Sequence, residues 1–238
     1  MGWFRMITPA ALPLIEQSER MQTQARQEEG RAAETVPVHH AEAAATLTRG
    51  DYGRPTRWVL GLLGTAGATL SILLVTVTLT VTFASSNSFD APTLIFSVSV
   101  GVGAMLIIGA PSVWLLFALH KSGKRLARSA GYWAAYPYRT GQRDPEQRDW
   151  FVVRSTVFSA DLFVRLVTAT LAALIALFGL SVFLRALSGE GDSEFSGTAL
   201  ATAILYFAVA AGQFGGVQRI QNGMLTRDPA PIHRGRQR

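Results

Sequence analysis

Few side chains in this chain of 238 residues have the types and spacing needed for chemistry. His39 and His40 are adjacent, so on a helix they diverge instead of sharing a face as ligands four apart would, and no carboxylate pattern completes a metal site around them. His120 and His233 flank apolar ends without an obvious partner. Cysteine is absent, which excludes disulfides, thiolate metal sites, iron–sulfur clusters and thiol nucleophiles together. There is no phosphate-binding glycine loop, no serine nucleophile motif and no pair of carboxylates facing each other within an apolar run. The chain therefore reads as non-enzymatic, with no catalytic residue, no cofactor and no metal.

The remaining polar candidates lie at or within long apolar runs. Asp161 and Arg165 stand one helical turn apart at a run's edge, the spacing of a simple surface ion pair. Gln213 falls inside a run and is expected to bridge helices by hydrogen bonding. No ionisable residue falls at the middle of a run, which disfavours an ion-coupled transporter, because such a protein needs a group there to bind and release the coupling ion.

These candidates are positioned by elements that composition makes plain. Apolar residues form 49% of the chain and charged residues 16%, and the apolar residues are gathered into runs instead of being scattered as in a water-soluble core. An all-α integral membrane protein with four transmembrane helices is expected, the spans covering about 58–83, 93–119, 166–184 and 197–220 within one membrane domain, 58–220. In the first span, Val75 to Thr82 alternates apolar and hydroxyl residues, a strand pattern in water. Within lipid an isolated strand leaves its backbone groups unpaired, so a helix is expected, each threonine bonding back to a preceding carbonyl. Gly109 and Pro111 remove a side chain and a donor from the second span and predict a kink.

Residues 1–57 hold seven arginines and seven acids without a sustained apolar face, so this arm is read as marginally helical or disordered. The segment 120–165 carries nine basic residues against four acidic ones, and is read as an internal loop ending in an interfacial helix over about 150–165. The tail, 221–238, is basic, whereas Asp90, Glu190, Asp192 and Glu194 mark the outer loops. The charge bias places both termini and the long loop in the cytoplasm, and four spans so arranged suit a bacterial inner membrane.

Small residues recur at helical spacing: Gly64 and Ala68, Gly101 and Gly109, and Ala208, Gly212 and Gly216. Such positions let helix backbones approach closely in lipid. The basic cluster Lys121, Lys124, Arg125 and Arg128 is read as a contact for anionic lipid headgroups, and nucleic acid is disfavoured because topology already requires cations there. The aromatic group Tyr132, Trp133, Tyr136 and Tyr138 is read as a bilayer anchor or a docking point for another protein. The expected function is a membrane scaffold or accessory subunit with membrane or cytoplasmic protein partners. The alternative is a homo-oligomeric channel with Thr-rich span one or Gln213 on a lumen.

Overall fold

The computed structural model describes residues 6–27, 36–84, 91–143, 160–190 and 195–225. Among these residues the structure is all helical: α1 (Ala11–Gln27), α2 (Val38–Tyr52), α3 (Pro55–Ala84), α4 (Ala91–Ala104), a π-helical turn (Met105–Gly109), α5 (Ala110–Arg139), α6 (Ala160–Leu187) and α7 (Ser196–Leu225). Four helical stretches are long and apolar enough to cross a membrane. The chain divides into two compact units, an apolar one of residues 58–119 and 167–213, and a polar one of residues 1–57, 120–166 and 214–238.

The apolar unit is arranged inside out relative to a protein folded in water. Leu62, Phe96, Ile107 and Phe178 are exposed, and the buried positions include Ala68, Ser71, Ala169, Ala172, Ala176, Ala203 and Ala210. In lipid large side chains gain nothing by turning inward, whereas small ones let backbones close up and maximise dispersion contact. The α3 face shows this: a Cβ at Gly64 would lie 3.0 Å from Leu116, one at Gly67 would collide with the Ser112 hydroxyl, and one at Gly109 would lie 2.6 Å from Ser71 Oγ. The contacts run in opposite directions along the two helices, as an antiparallel pair requires.

Gly64 and Gly109 lie close to side chains of the facing helix and Ala68 is buried, with Gly67 beside them. Gly101 makes only an ordinary contact with Thr78, at 3.9 Å. Ala208 is exposed and Gly212 half-buried; the packed positions of α7 within this unit are Ala203 and Ala210, one heptad apart. They differ from the expected stripe because the α6 face fixes the register. Ala169, Ala172, Ala176 and Gly179 recur every three or four residues, and a Cβ at Gly179 would lie 2.9 Å from the Ala199 carbonyl.

Threonines of the alternating run adopt the helical solution. Thr76, Thr78 and Thr82 donate to the carbonyls of Ile72, Leu74 and Thr78 at 2.9, 2.7 and 2.7 Å. Pro111 has no N–H for the carbonyl four residues earlier. The turn before it widens, and the Ala110 N–H bonds five residues back, to Met105. At Gly109 and Pro111, where the sequence predicts a kink, the feature the structure shows is a π turn.

The polar unit differs more from the sequence reading. The described parts of the arm are helical and carry a buried face: α1 buries Ala11, Ile15 and Ser18, and α2 buries Ala41, Ala44, Thr48 and Tyr52. Residues 120–139 are not loop, since α5 runs unbroken from Ala110 to Arg139. It ends there because Pro137 is followed by Gly141, whose φ of 69° provides the left-handed turn, with the Gln142 N–H returning to the Pro137 carbonyl at 2.9 Å. Residues 160–165 belong to the same helix as the third span, and the rest of the expected interfacial helix lies outside the described residues. The helix of the fourth span extends to Leu225, into the segment read as tail.

Gly179→Val should destabilise the protein by about 1–3 kcal/mol through overpacking against a backbone carbonyl, whereas Ala208→Leu at an exposed position should stay within about 0.5 kcal/mol. Thermal unfolding of the detergent-solubilised variants distinguishes them.

Candidate functional site

Two side-chain clusters in the polar unit concentrate its chemistry. The first gathers where α2 ends and α3 begins. Asp51, the penultimate residue of α2, is buried, and its Oδ2 accepts the Thr8 N–H at 2.9 Å while its Oδ1 lies 3.6 Å from Arg54 Nη1. Thr8 in turn accepts the Ala11 N–H on its hydroxyl at 3.3 Å, capping α1. Arg57, in the first turn of α3, is also buried, donating to the Met6 carbonyl and, at 3.0 Å, to Ser122 Oγ on α5. A carboxylate and a guanidinium thus hold opposite-facing backbone groups of the segment that leads into α1.

Arg165 enters the same unit from α6. It is 6% exposed, donates to the Tyr52 carbonyl, and places its guanidinium carbon 3.9 Å above the Tyr52 ring centroid. Its guanidinium lies over an aromatic face, where a planar, weakly hydrated cation is better accommodated than an ammonium would be. The sequence reading pairs Arg165 with Asp161, whose side chain lies outside the described residues. The Tyr52 hydroxyl occupies the space a Cβ at Gly216 would need, which explains glycine there in terms of a ring inserted against α7. Tyr52 packs with Ala11, Ile15, Leu126, Ala127, Ala130, Leu162, Val217 and Ile220.

The second cluster is the aromatic group of α5. Trp133 is 1% exposed and donates its indole N–H to the Leu14 carbonyl at 3.1 Å, and the Tyr136 hydroxyl accepts the Val36 N–H at 2.9 Å. Both rings pack against Ala41 and Ala44 of α2, with Leu14, Met21 and Tyr132 alongside. Trp133 and Tyr136, offered by the sequence for a bilayer or a foreign partner, are therefore occupied by the chain's own arm. Tyr132 and Tyr138 are half-buried.

The basic cluster divides in the same way. Arg125 makes a two-pronged ion pair with Glu19 of α1, at 2.9 and 2.8 Å, and Ser18 bonds Ser129 at 3.1 Å one turn further. The Arg125 guanidinium holds the Glu19 carboxyl below its ordinary value of 4.5. Lys121 and Arg128 remain exposed and Lys124 half-buried. Gln213, placed in the apolar unit, is half-buried. His39 and His40 stack edge to face at 4.3 Å, and among the described residues no group of three histidines or acids could hold a metal ion.

Chemically, both clusters join elements together: the donors are aimed at backbone carbonyls and hydroxyls of this chain. Sequence reading missed Tyr52, Arg57 and Asp51 because each looks ordinary within a polar segment. A signal was present in the arm, where Ala11, Leu14, Ile15, Ser18 and Met21 follow a helical period, but alanine and serine made the face inconspicuous. Comparison with protein-family models, curated proteins and solved structures finds no match to this chain.

Asp51→Ala, which removes the buried acceptor of the Thr8 N–H, should cost about 1–3 kcal/mol, and Trp133→Ala should cost more, about 3–5 kcal/mol, both read from thermal unfolding in detergent. A double-mutant cycle on the exposed Glu19 and Arg125 pair should give below about 1 kcal/mol. Because the folded Glu19 pKa is depressed, that coupling should be fully present above the unfolded value of 4.5 and disappear as pH falls through the lower, folded value.

Proposed function

We propose that this protein is a non-enzymatic scaffold or accessory subunit of a larger membrane assembly, with both termini and the polar unit in the cytoplasm of a bacterial cell. The observation that carries this reading is where the hydroxyls of the apolar unit point. Thr69 meets the Tyr206 hydroxyl at 3.3 Å, Thr76 bonds Thr198, and Ser71 donates to the Ala104 carbonyl at 3.4 Å. These groups connect α3 to its neighbours in pairs. A pore formed by several copies would instead require a continuous polar stripe facing a shared lumen. The outward faces carry Leu62, Leu73, Ile107, Leu174 and Phe178, which suits lipid or the apolar helices of other subunits.

Folding of α1 and α2 onto α5 supports the same reading, since it yields a packed helical body on which a cytoplasmic partner could be seated. The positive-inside charge distribution supports the orientation.

Orientation is directly testable because the chain has no cysteine. Thr46→Cys, at an exposed position of α2, should react with a membrane-impermeant maleimide only after permeabilisation, and Ser188→Cys should react in intact cells; the reverse pattern would invert the topology. For function, the tagged protein should leave its native membrane in mild detergent with foreign subunits at stoichiometric abundance, identified by mass spectrometry. A pure homo-oligomer that conducts ions in planar bilayers would overturn the scaffold reading in favour of the channel.

A further inference from the structure

We infer that one face of α5 binds the phosphate of anionic phospholipids through Lys121, Lys124 and Arg128. The inference starts from how α5 divides its two sides. Ser122, Leu126, Ser129 and Trp133 recur at spacings of four, three and four and are buried with the arm. Lys121, Lys124 and Arg128 recur at three and four on the opposite side of the same turns, with Lys121 and Arg128 exposed. The neighbouring cation, Arg125, is engaged by Glu19, so the ion pairing of the arm selects which of the four basic residues remain outward. No ion pair engages these three among the described residues; the charge of Arg128 is felt by Glu19, and Glu16 lies near Arg125.

Lipid is the occupant because of what precedes this face along the helix. α5 is a single unbroken helix, and in the same heptad register Trp114 and Phe117 come immediately before Lys121, exposed at 69% and 65%. An apolar and aromatic surface giving way to cations, on one side of one helix and within about 15 Å from Trp114 to Lys124 at about 1.5 Å per residue, has the polarity order of a phospholipid: acyl chain, then phosphate. Lys121 and Lys124 lie one turn apart, a spacing at which two ammonium groups can share a single phosphodiester. A free phosphate would use the cations but not the apolar surface, and an acidic protein would not require the two to be continuous. This inference does not depend on the scaffold reading, because a channel would present the same helix face.

The test uses the full-length protein in phosphatidylcholine bilayers containing a trace of spin-labelled phosphatidylglycerol or, separately, spin-labelled phosphatidylcholine. The fraction of motionally restricted label gives the relative affinity. The anionic label should be preferred, and each cation removed should lower that preference by about fivefold, as expected for about 1 kcal/mol per cation. The triple variant K121Q, K124Q and R128Q should bind both labels equally, and K121R, K124R and R128K together should retain the preference. If the triple variant does not fold, K121Q and R128Q alone, both at exposed positions, should each show the single-step loss. An unchanged preference in these variants would overturn the inference. So would an equal loss in a matched control, R20Q, R49Q and R139Q, which would mean that net charge and not this face attracts the lipid.

Discussion

Every backbone N–H and carbonyl in a long apolar run must find its partner within the run once water is excluded, and the rest of this structure follows from that requirement. It turns the alternating segment from Val75 to Thr82 into helix, with threonine hydroxyls bonded to the preceding turn. It also explains the response to Pro111: a missing donor cannot be replaced by solvent, so the turn widens into a π segment. With backbones satisfied and large side chains turned outward, the interior is left to glycine, alanine, serine and threonine. Shape at the level of single atoms then decides register, as at Gly67 against Ser112 and Gly179 against Ala199.

In the polar unit the governing consideration is different, because water competes for every charge. Arg57 and Arg165 nonetheless lie almost fully buried. Withdrawing a guanidinium from water costs several kcal/mol unless its hydrogen bonds are replaced, and here carbonyls, a serine hydroxyl and an aromatic face take that role. The arrangement gives specificity to a core otherwise dominated by alanine. Alanine faces pack closely but hold no unique register, whereas Asp51 on Thr8 and Trp133 on Leu14 are directional and fix where the arm rests.

That division of labour also sorts the side chains of the described residues. Trp133 and Tyr136 are engaged by α1 and α2, whereas Lys121 and Arg128 of α5 and large apolar side chains such as Leu62, Ile107 and Phe178 are exposed.

The helical class and the four apolar helices were determined by the sequence itself, because both depend on sums over long windows: enough consecutive apolar residues to cross a bilayer, and no water to support any other backbone. Glycine in such a run marks where a close approach is possible but not where it happens: Gly64 and Gly109 have a neighbour in the space of a Cβ, whereas Gly101 has only an ordinary contact and Gly61 and Gly103 have none. What only the tertiary structure decided were pairings between residues far apart in the chain. Ala11, Ile15 and Ser18 became a buried face only because α5 offers Leu126, Ser129 and Ala130 opposite them, and Trp133 became core and not surface only because Leu14 supplies a carbonyl to its indole. Arg125 and Lys124 are neighbours with the same charge, yet Arg125 is bound by a glutamate 106 residues away while Lys124 forms no such pair among the described residues. Local composition is blind to such distinctions, because each arises from which opposite surface the chain brings to that side of the helix.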